Sequence, residues 1–120
     1  MSKIVAMKDI GIPVPTPAPN SADHLIVYYG SAGFTPDYAQ TARIDAGAVS
    51  ALTTKTVNGV AYYDDPIGSE LPVSVTDGTY DFYFTLEDPA TGSEGDFSPV
   101  IQATVTRTVP PTLGQPIELT

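Results

Sequence analysis

Acidic side chains are the residues of this sequence whose type and spacing come nearest to doing chemistry. One adjacent pair and one loop cluster stand out: Asp64, Asp65, Glu87, Asp88, Glu94 and Asp96. Carboxylate and carbonyl oxygens are the ligands that Ca²⁺ prefers, so loops that bring these acids to one end of a fold could hold that ion. Their spacing is not that of an EF-hand loop. We therefore take Asp64, Asp65, Asp88, Glu94 and Asp96 as candidate Ca²⁺ ligands, with ordinary solvated loops as the alternative.

Catalytic signatures are missing from the sequence. His24 is the one histidine, and nothing stands at a known nucleophile spacing from it. Neither a G-x-S-x-G turn nor a phosphate-binding glycine loop occurs. We predict a non-enzymatic protein with no catalytic residue, and no cofactor apart from the Ca²⁺ that the acids would hold.

Tyrosine side chains offer a second kind of site: Tyr28, Tyr29, Tyr38, Tyr62 and Tyr63. Aromatic rings can stack on sugars, and adjacent tyrosines on a strand place one ring on each face. The outward rings suit protein interfaces equally well, because Tyr is enriched there. The chain has no Trp, which favours the protein interface over the sugar platform.

The charge balance is strongly acidic. The chain carries 14 Asp and Glu against 5 Lys and Arg, for a net charge of −9, and no base occurs between Lys55 and Arg107. Such a surface repels phosphate backbones, so we expect no nucleic-acid partner. It favours solubility, a basic protein surface or cations.

Targeting and cross-linking features are missing as well. Cysteine is absent, which excludes disulfides and cysteine metal sites. No apolar run approaches the roughly 18 residues of a membrane span, so we expect no membrane partner. Residues 1–9 do not have the pattern of a secretory signal.

The organisation of the chain centres on a predicted hairpin in residues 75–105. Tyr80, Phe82, Phe84 and Leu86 alternate with mostly polar residues, which predicts a strand with one face on a core and the other toward water. A loop follows at residues 87–96, indicated by its Pro, Gly and Asp content, and a second strand at residues 97–106.

Other segments supply the strands that this hairpin needs as partners. Residues 24–29 are apolar on both faces, which is typical of an interior strand. Asn58-Gly59 predicts a hairpin over residues 51–63, because a type I′ turn needs positive φ at both central positions. Three further segments fit short strands: residues 3–10, residues 40–45 (with a short helical turn as the alternative) and residues 71–75, an edge segment because of its Pro.

The segment DGTYDFYFTLEDPATGSEGDFSPV, residues 77–100, resembles the last two strands of a fibronectin type III domain or of a close immunoglobulin-like relative. In that family a Gly-Thr turn leads into an aromatic-alternating strand, and a Ser-Pro pair precedes the last strand. The resemblance implies that Tyr80 is a tyrosine corner, with its hydroxyl bonded to backbone a few residues upstream. We predict an all-β protein, a single antiparallel β-sandwich of about seven to nine strands with Pro-rich extended termini.

Prolines mark both termini. Pro13, Pro15, Pro17 and Pro19 occupy alternate positions, which holds residues 12–20 extended. We divide the chain into an N-terminal strand and Pro-rich arm (residues 1–22), the sandwich (residues 23–107) and a Pro-rich C-terminal arm (residues 108–120). The arms are either stiff linkers or edge segments, or they lie along neighbouring subunits. Candidate interface residues are Pro13, Pro15, Pro17, Pro19, Tyr83 and Ile117.

A sandwich with stiff termini, no cysteine and no export signal resembles the small virion proteins of tailed bacteriophages. That resemblance implies a structural protein of the particle, most simply a capsid decoration or auxiliary protein that binds neighbouring subunits, or copies of itself, through its termini. The expected location is the virion, or otherwise an extracellular surface. The alternative is a carbohydrate- or surface-binding, adhesin-like module assisted by Ca²⁺.

Overall fold

Two antiparallel β-sheets make up the fold. The structure is a computed structural model that describes residues 4–6, 8–72, 74–108 and 113–119. The strands in these residues are β1 (Ile4–Ala6), β2 (Ile10–Pro13), β3 (His24–Ser31), β4 (Arg43–Ala48), β5 (Thr53–Val57), β6 (Val60–Asp65), β7 (Gly78–Asp88), β8 (Ser93–Glu94) and β9 (Ile101–Thr108). Two short helical segments accompany them, a 3-10 turn (Val49–Ala51) and the helix α1 (Ile67–Glu70). The predicted all-β class is confirmed.

The two sheets differ in size. The larger sheet has the strand order β1-β9-β7-β3-β4, with β8 paired to the end of β7, and the smaller sheet has the order β2-β6-β5. Every pairing is antiparallel. Because β3 lies between β7 and β4, its prediction as an interior strand is confirmed. The arrangement is compatible with a β-sandwich.

The hydrophobic core is built mainly from one face of the larger sheet and the inner face of the smaller one. Its buried members are Ile10, Leu25, Val27, Val49, Tyr63, Ile67, Leu71, Val75, Phe82, Phe84 and Val105. The predicted inward face of β7 is confirmed, because Phe82 is 0% and Phe84 5% exposed while Tyr80 and Leu86 pack against the same cluster.

The opposite face of the larger sheet is also covered, which corrects the prediction that this side of β7 faces water. Asp81 and Thr85 are buried there, and so are Ile26 and Tyr28 on β3. Segments 30–42 and 95–98 supply contacts on this face. Phe34 approaches so closely that a Cβ added at Gly30 would lie 2.6 Å from the phenylalanine ring.

The β5–β6 hairpin forms at the Asn-Gly pair, as predicted. Asn58 and Gly59 have φ values of 50° and 79°, the positive values that a two-residue type I′ turn requires. Val57 and Val60 are the paired residues that flank the turn.

Four predicted strands differ from the observed ones. The last strand, predicted at residues 97–106, is β9 and begins only at Ile101, because residues 95–98 instead cover the outer face of the larger sheet. Residues 71–75 form no strand in their described part; they follow α1, where the Leu71 N–H donates to the Ile67 carbonyl instead of to a neighbouring strand. The segment predicted at residues 40–45 is the strand β4, shifted toward the C-terminus and followed by the 3-10 turn. The segment predicted at residues 3–10 contains two strands in different sheets, β1 and β2, and its residues 3 and 7 lie outside the described part.

The alternating prolines of the N-terminal segment begin in an edge strand. The Val14 N–H donates to the Ala61 carbonyl of β6 at 3.0 Å, and residues along a strand alternate in the direction of their backbone groups. Gly11, Pro13 and Pro15 therefore direct their backbone away from β6, toward the free edge. Proline has no N–H to leave unpaired there, so these prolines fit the edge and protect it.

The Tyr80 hydroxyl donates to the Thr76 carbonyl at 2.7 Å. This is the backbone contact, four residues upstream, that the tyrosine-corner resemblance implies. It fixes the turn that precedes β7 against the first residues of that strand.

Truncation of a β7 core ring tests the facing of this strand. We expect Phe82→Ala to lower the free energy of unfolding by about 3–5 kcal/mol, because the ring is fully buried and leaves a cavity. Thr79→Ala, at an exposed position near the start of the same strand, should change it by less than about 0.5 kcal/mol. Chemical denaturation measures both, and a loss below about 1 kcal/mol at Phe82 would mean that the ring is not in the core.

Candidate functional site

Arg43 is the centre of a polar network on the outer face of the larger sheet. Its Nη2 donates to Glu87 Oε2 at 2.8 Å and to Glu94 Oε1 at 3.0 Å, and its Nε donates to the Tyr28 hydroxyl at 3.0 Å. Strand register explains the meeting, because Tyr28 is paired with Arg43 and Glu87 with Glu94. One guanidinium thus joins β3, β4, β7 and β8.

Glu94 is held ionised in spite of its burial. Burial raises the pKa of its carboxyl, but hydrogen bonds from Thr85, Tyr28 and Arg43 outweigh that effect and lower the pKa below the ordinary glutamate value. Thr85 Oγ1 at 2.5 Å and the Tyr28 hydroxyl both donate to Glu94 Oε2, whereas Arg43 donates to Oε1. The hydrogen bonds to Tyr28 and Glu94 in turn raise the pKa of Arg43, against the effect of burial.

Aromatic rings cover this network. Phe97 stacks on Tyr38 with ring centroids 4.3 Å apart and meets the edge of Tyr28 at 5.0 Å, while Phe34 meets Tyr83 at 5.5 Å. The Tyr38 hydroxyl also donates to the Gly95 carbonyl at 2.9 Å, which fixes the covering segment. Tyr83, a candidate interface residue, is therefore half-buried under neighbouring rings, and little of it is left for a partner.

Asp81 fixes the other covering segment. Its carboxylate accepts hydrogen bonds from the Gly33 N–H at 2.7 Å and from Gln102 Nε2 at 3.2 Å. These contacts place Phe34 over the sheet. The outer-face network thus consists of charged and aromatic side chains that contact one another. These contacts fix two loops to the larger sheet, which is a structural role.

His24, the single imidazole, lies at the sheet surface. Its Nδ1 is 2.9 Å from the Asp45 carboxylate, and the two side chains are 29% and 47% exposed. Burial raises the pKa of Asp45. The hydrogen bonds from His24 and the Gly47 N–H lower the pKa by more than burial raises it, so the pKa lies below the ordinary aspartate value.

The candidate Ca²⁺ ligands lie in two separate places. Asp64 and Asp65 are on β6 of the smaller sheet, whereas Asp88, Glu94 and Asp96 surround the β7–β8 turn of the larger one. Asp64 forms an ion pair with Lys55 at 2.9 Å. Among the described residues, no three acidic or histidine side chains are arranged to hold a metal ion.

Asp65 is the least expected of these acids, because its side chain is fully buried. Its neighbour is the carboxyl group of Glu70 on α1. Both of its carboxyl oxygens are buried without a hydrogen-bond partner among the described atoms. Burial, the adjacent Glu70 carboxyl and the negative charges of Asp9 and Asp64 raise the pKa of Asp65 to about 8. A protonated Asp65 can donate to Glu70, whereas two ionised carboxylates would repel each other.

Exposed apolar side chains form the surface best suited to a partner. The hairpin tip presents Val57 and Val60, and Val100 and Ile101 are also exposed. The segment of residues 113–119, which we call the apolar tail, has no regular secondary structure and presents Leu113 at 91%, Ile117 at 79% and Leu119 at 90% exposure. Ile117, a candidate interface residue, belongs to this tail.

The prolines of the N-terminal segment are distributed over the body of the fold. Pro13 and Pro15 line an apolar groove of about 260 Å³ between the sheets, together with side chains such as Phe84 and Leu86. Pro17 is exposed and follows a cis peptide bond, and Pro19 is half-buried. Part of this segment thus packs on its own domain.

Comparisons of the chain with protein-family models, with curated proteins and with solved structures gave no match. Within the described residues, no helix has the length and hydrophobicity needed to cross a membrane.

Removal of the Glu94 charge tests the outer-face network. We expect Glu94→Gln to lower the free energy of unfolding by about 1–3 kcal/mol at pH 7, because Arg43 loses a largely buried partner. The pKa of Glu94 is lowered on folding, so wild type itself loses this stabilisation as the pH falls through that lowered pKa. The difference between the two proteins should therefore shrink in acid. Glu118→Gln on the exposed tail is the control, and equal stability of all three proteins at pH 7 would contradict the proposed contribution.

The buried carboxyl of Asp65 predicts a second pH dependence, with the opposite sign. The pKa of this group rises on folding from 3.8 to about 8, so the folded protein binds a proton that the unfolded chain has released. Stability should therefore fall as the pH rises across that interval and level off above it.

The variant Asp65→Asn should remove most of that slope and be more stable than wild type near pH 8, because an amide can donate to Glu70 without ionising. Asp96→Asn, an exposed acid, is the matched control. Thermal unfolding measured from pH 4 to 9 provides the comparison, and parallel profiles for wild type and Asp65→Asn would show that Asp65 is not the group responsible.

Proposed function

We propose that this chain is a non-enzymatic structural subunit of a larger protein assembly, and that the assembly is the particle of a tailed bacteriophage. The role in the particle would be that of a capsid decoration or auxiliary protein, with neighbouring subunits as partners and the virion as location. The observation that carries the proposal is the apolar tail, in which three large apolar side chains are between 79% and 91% exposed.

The energetics favour a covered tail. Burial of a leucine or isoleucine side chain contributes about 1.5–3 kcal/mol. Three such side chains therefore supply roughly 5–9 kcal/mol before the cost of ordering the segment. That gain is large enough to attach a small subunit to a larger surface.

The body of the domain suits a subunit that faces solvent. Its net charge of −9 keeps separate copies soluble and favours a partner surface that carries basic groups. The β-sandwich-compatible fold and the resemblance of residues 77–100 to fibronectin type III strands support the same role by analogy alone.

The carbohydrate-binding alternative has less support in the side chains. Tyr28 is 0% exposed, and Tyr38 stacks on Phe97. Sugar stacking requires a free aromatic face. Tyr28 and Tyr63 are buried, and Tyr38, although 46% exposed, has one face occupied by Phe97. The tyrosines thus favour a packed structural role over a glycan platform.

Analysis of the particles tests this proposal. Phage particles purified from lysates on a density gradient should contain the chain at a fixed ratio to the major coat protein, measured by quantitative mass spectrometry. Particles stripped of the chain should rebind the purified wild-type protein, and rebinding should fall at least about tenfold for Leu113→Ser/Ile117→Ser/Leu119→Ser. Absence of the chain from washed particles would overturn the proposed location, and undiminished rebinding of the variant would overturn the role of the tail.

A further inference from the structure

The two edges of the smaller sheet are protected to different degrees. On β2 the backbone groups that face the free edge belong to Gly11, Pro13 and Pro15, and the prolines have no N–H to offer. The other edge is β5, whose sequence Thr53–Val57 contains no proline and is exposed at every residue. An unprotected edge strand is a ready template for another strand.

The backbone groups of β5 that are free for pairing can be assigned from the hairpin. In a two-residue turn, the residues that flank it form a hydrogen-bonded pair, here Val57 with Val60. Alternation then directs the backbone groups of Lys55 toward β6 and those of Thr54 and Thr56 outward. β5 is the last strand in the order of its sheet, so the outward groups face no strand in the described part of the chain.

The apolar tail has the pattern of a strand that would fit such an edge. Ile117 and Leu119 alternate with Glu118, so an extended tail places two apolar side chains on one face and a carboxylate on the other. Lys55 lies on the same face of the hairpin as the exposed Val57 and Val60, beside Asp64 at 2.9 Å, and 65% of its side chain is exposed. A Glu118 placed opposite Lys55 therefore puts Ile117 and Leu119 on the other face, opposite Thr54 and Thr56, which is the face that carries the core residue Tyr63. Lys55 is the only base between Arg43 and Arg107, and it complements Glu118 in an otherwise acidic chain.

We propose that residues 116–119 of one copy add as a strand to the free edge of β5 in a second copy. The inference rests on the proposed structural role and names the surface and the partner through which copies join. Pairing of β5 with β5 is less favourable, because a full antiparallel overlap of the two edges places Lys55 opposite Lys55. If two copies exchange tails with each other, they form a closed two-fold dimer. If each copy instead adds its tail to the next copy, an open chain of copies forms.

Sedimentation velocity of the full chain over roughly 10 µM to 1 mM tests this proposal. Wild type should associate with rising concentration, and Ile117→Ser/Leu119→Ser should weaken association at least about tenfold. Leu113→Ser, the same chemical change outside the added strand, is the matched control and should associate like wild type. Thr56→Pro should also abolish association, because it removes an outward N–H and leaves the bonds between β5 and β6, as the prolines of β2 do.

A charge exchange separates this pairing from general loss of structure. Lys55→Glu should weaken association, and addition of Glu118→Lys to that variant should restore it at least partly. Rescue of this kind requires the two residues to meet across copies. Failure of the second substitution to improve association would overturn the pairing of the tail with β5.

The remaining outcomes are also decisive. A wild-type chain that stays monomeric up to about 1 mM would overturn self-association, while the particle experiment would still decide the proposed function. Association that survives Ile117→Ser/Leu119→Ser and is lost in Thr56→Pro would mean that β5 pairs with β5, and the tail would be excluded as the occupant.

Discussion

Burial of both faces of β3 is the constraint on which the rest of this structure depends. Leu25 and Val27 face the core, Ile26 and Tyr28 face the opposite side, and all four are at most 1% exposed. A strand of this kind needs two covers. The smaller sheet supplies the inner one, and two loops supply the outer one. The Tyr28 hydroxyl lies under that outer cover, where an unpaired polar group costs about 1–3 kcal/mol, and its hydrogen bonds with the ion pair around Arg43 satisfy it.

The chain buries carboxyl groups in two contrasting ways. Glu94 stays charged, because donors from three directions stabilise the ionised form more than burial disfavours it. Asp65 has another acid as its partner, so burial and repulsion favour the neutral form and the pKa rises to about 8. With 14 acids and 5 bases, the protein cannot pair every carboxylate with a cation. Protonation at Asp65 in the smaller sheet therefore replaces an ion pair, while Arg43 in the larger sheet pairs with two glutamates.

Local patterns predicted the elements that depend on near neighbours, such as the inward face of β7 at Phe82 and the Asn-Gly turn. They did not predict the burial of Asp81 and Thr85, because alternation shows which residues share a face and not whether a distant segment covers it. Phe97 provides part of that cover, although the sequence pattern predicts it as the first residue of the last strand. Arg43 was overlooked as the centre of a network; its one signal was an isolated base among many acids, in a segment whose secondary structure was ambiguous.

The contrast between the two edges of the smaller sheet bears on how this protein can associate without aggregating. Each proline on β2 removes a donor that another chain could use, so uncontrolled pairing is suppressed on that side. β5 keeps its donors but carries Lys55, which disfavours pairing of identical edges and admits a strand with an opposite charge. A short tail that brings a single carboxylate between two apolar side chains satisfies that requirement. In such a contact the charge pair contributes specificity and the apolar side chains contribute affinity. Because the added strand is short, the total binding free energy stays small enough for reversible assembly.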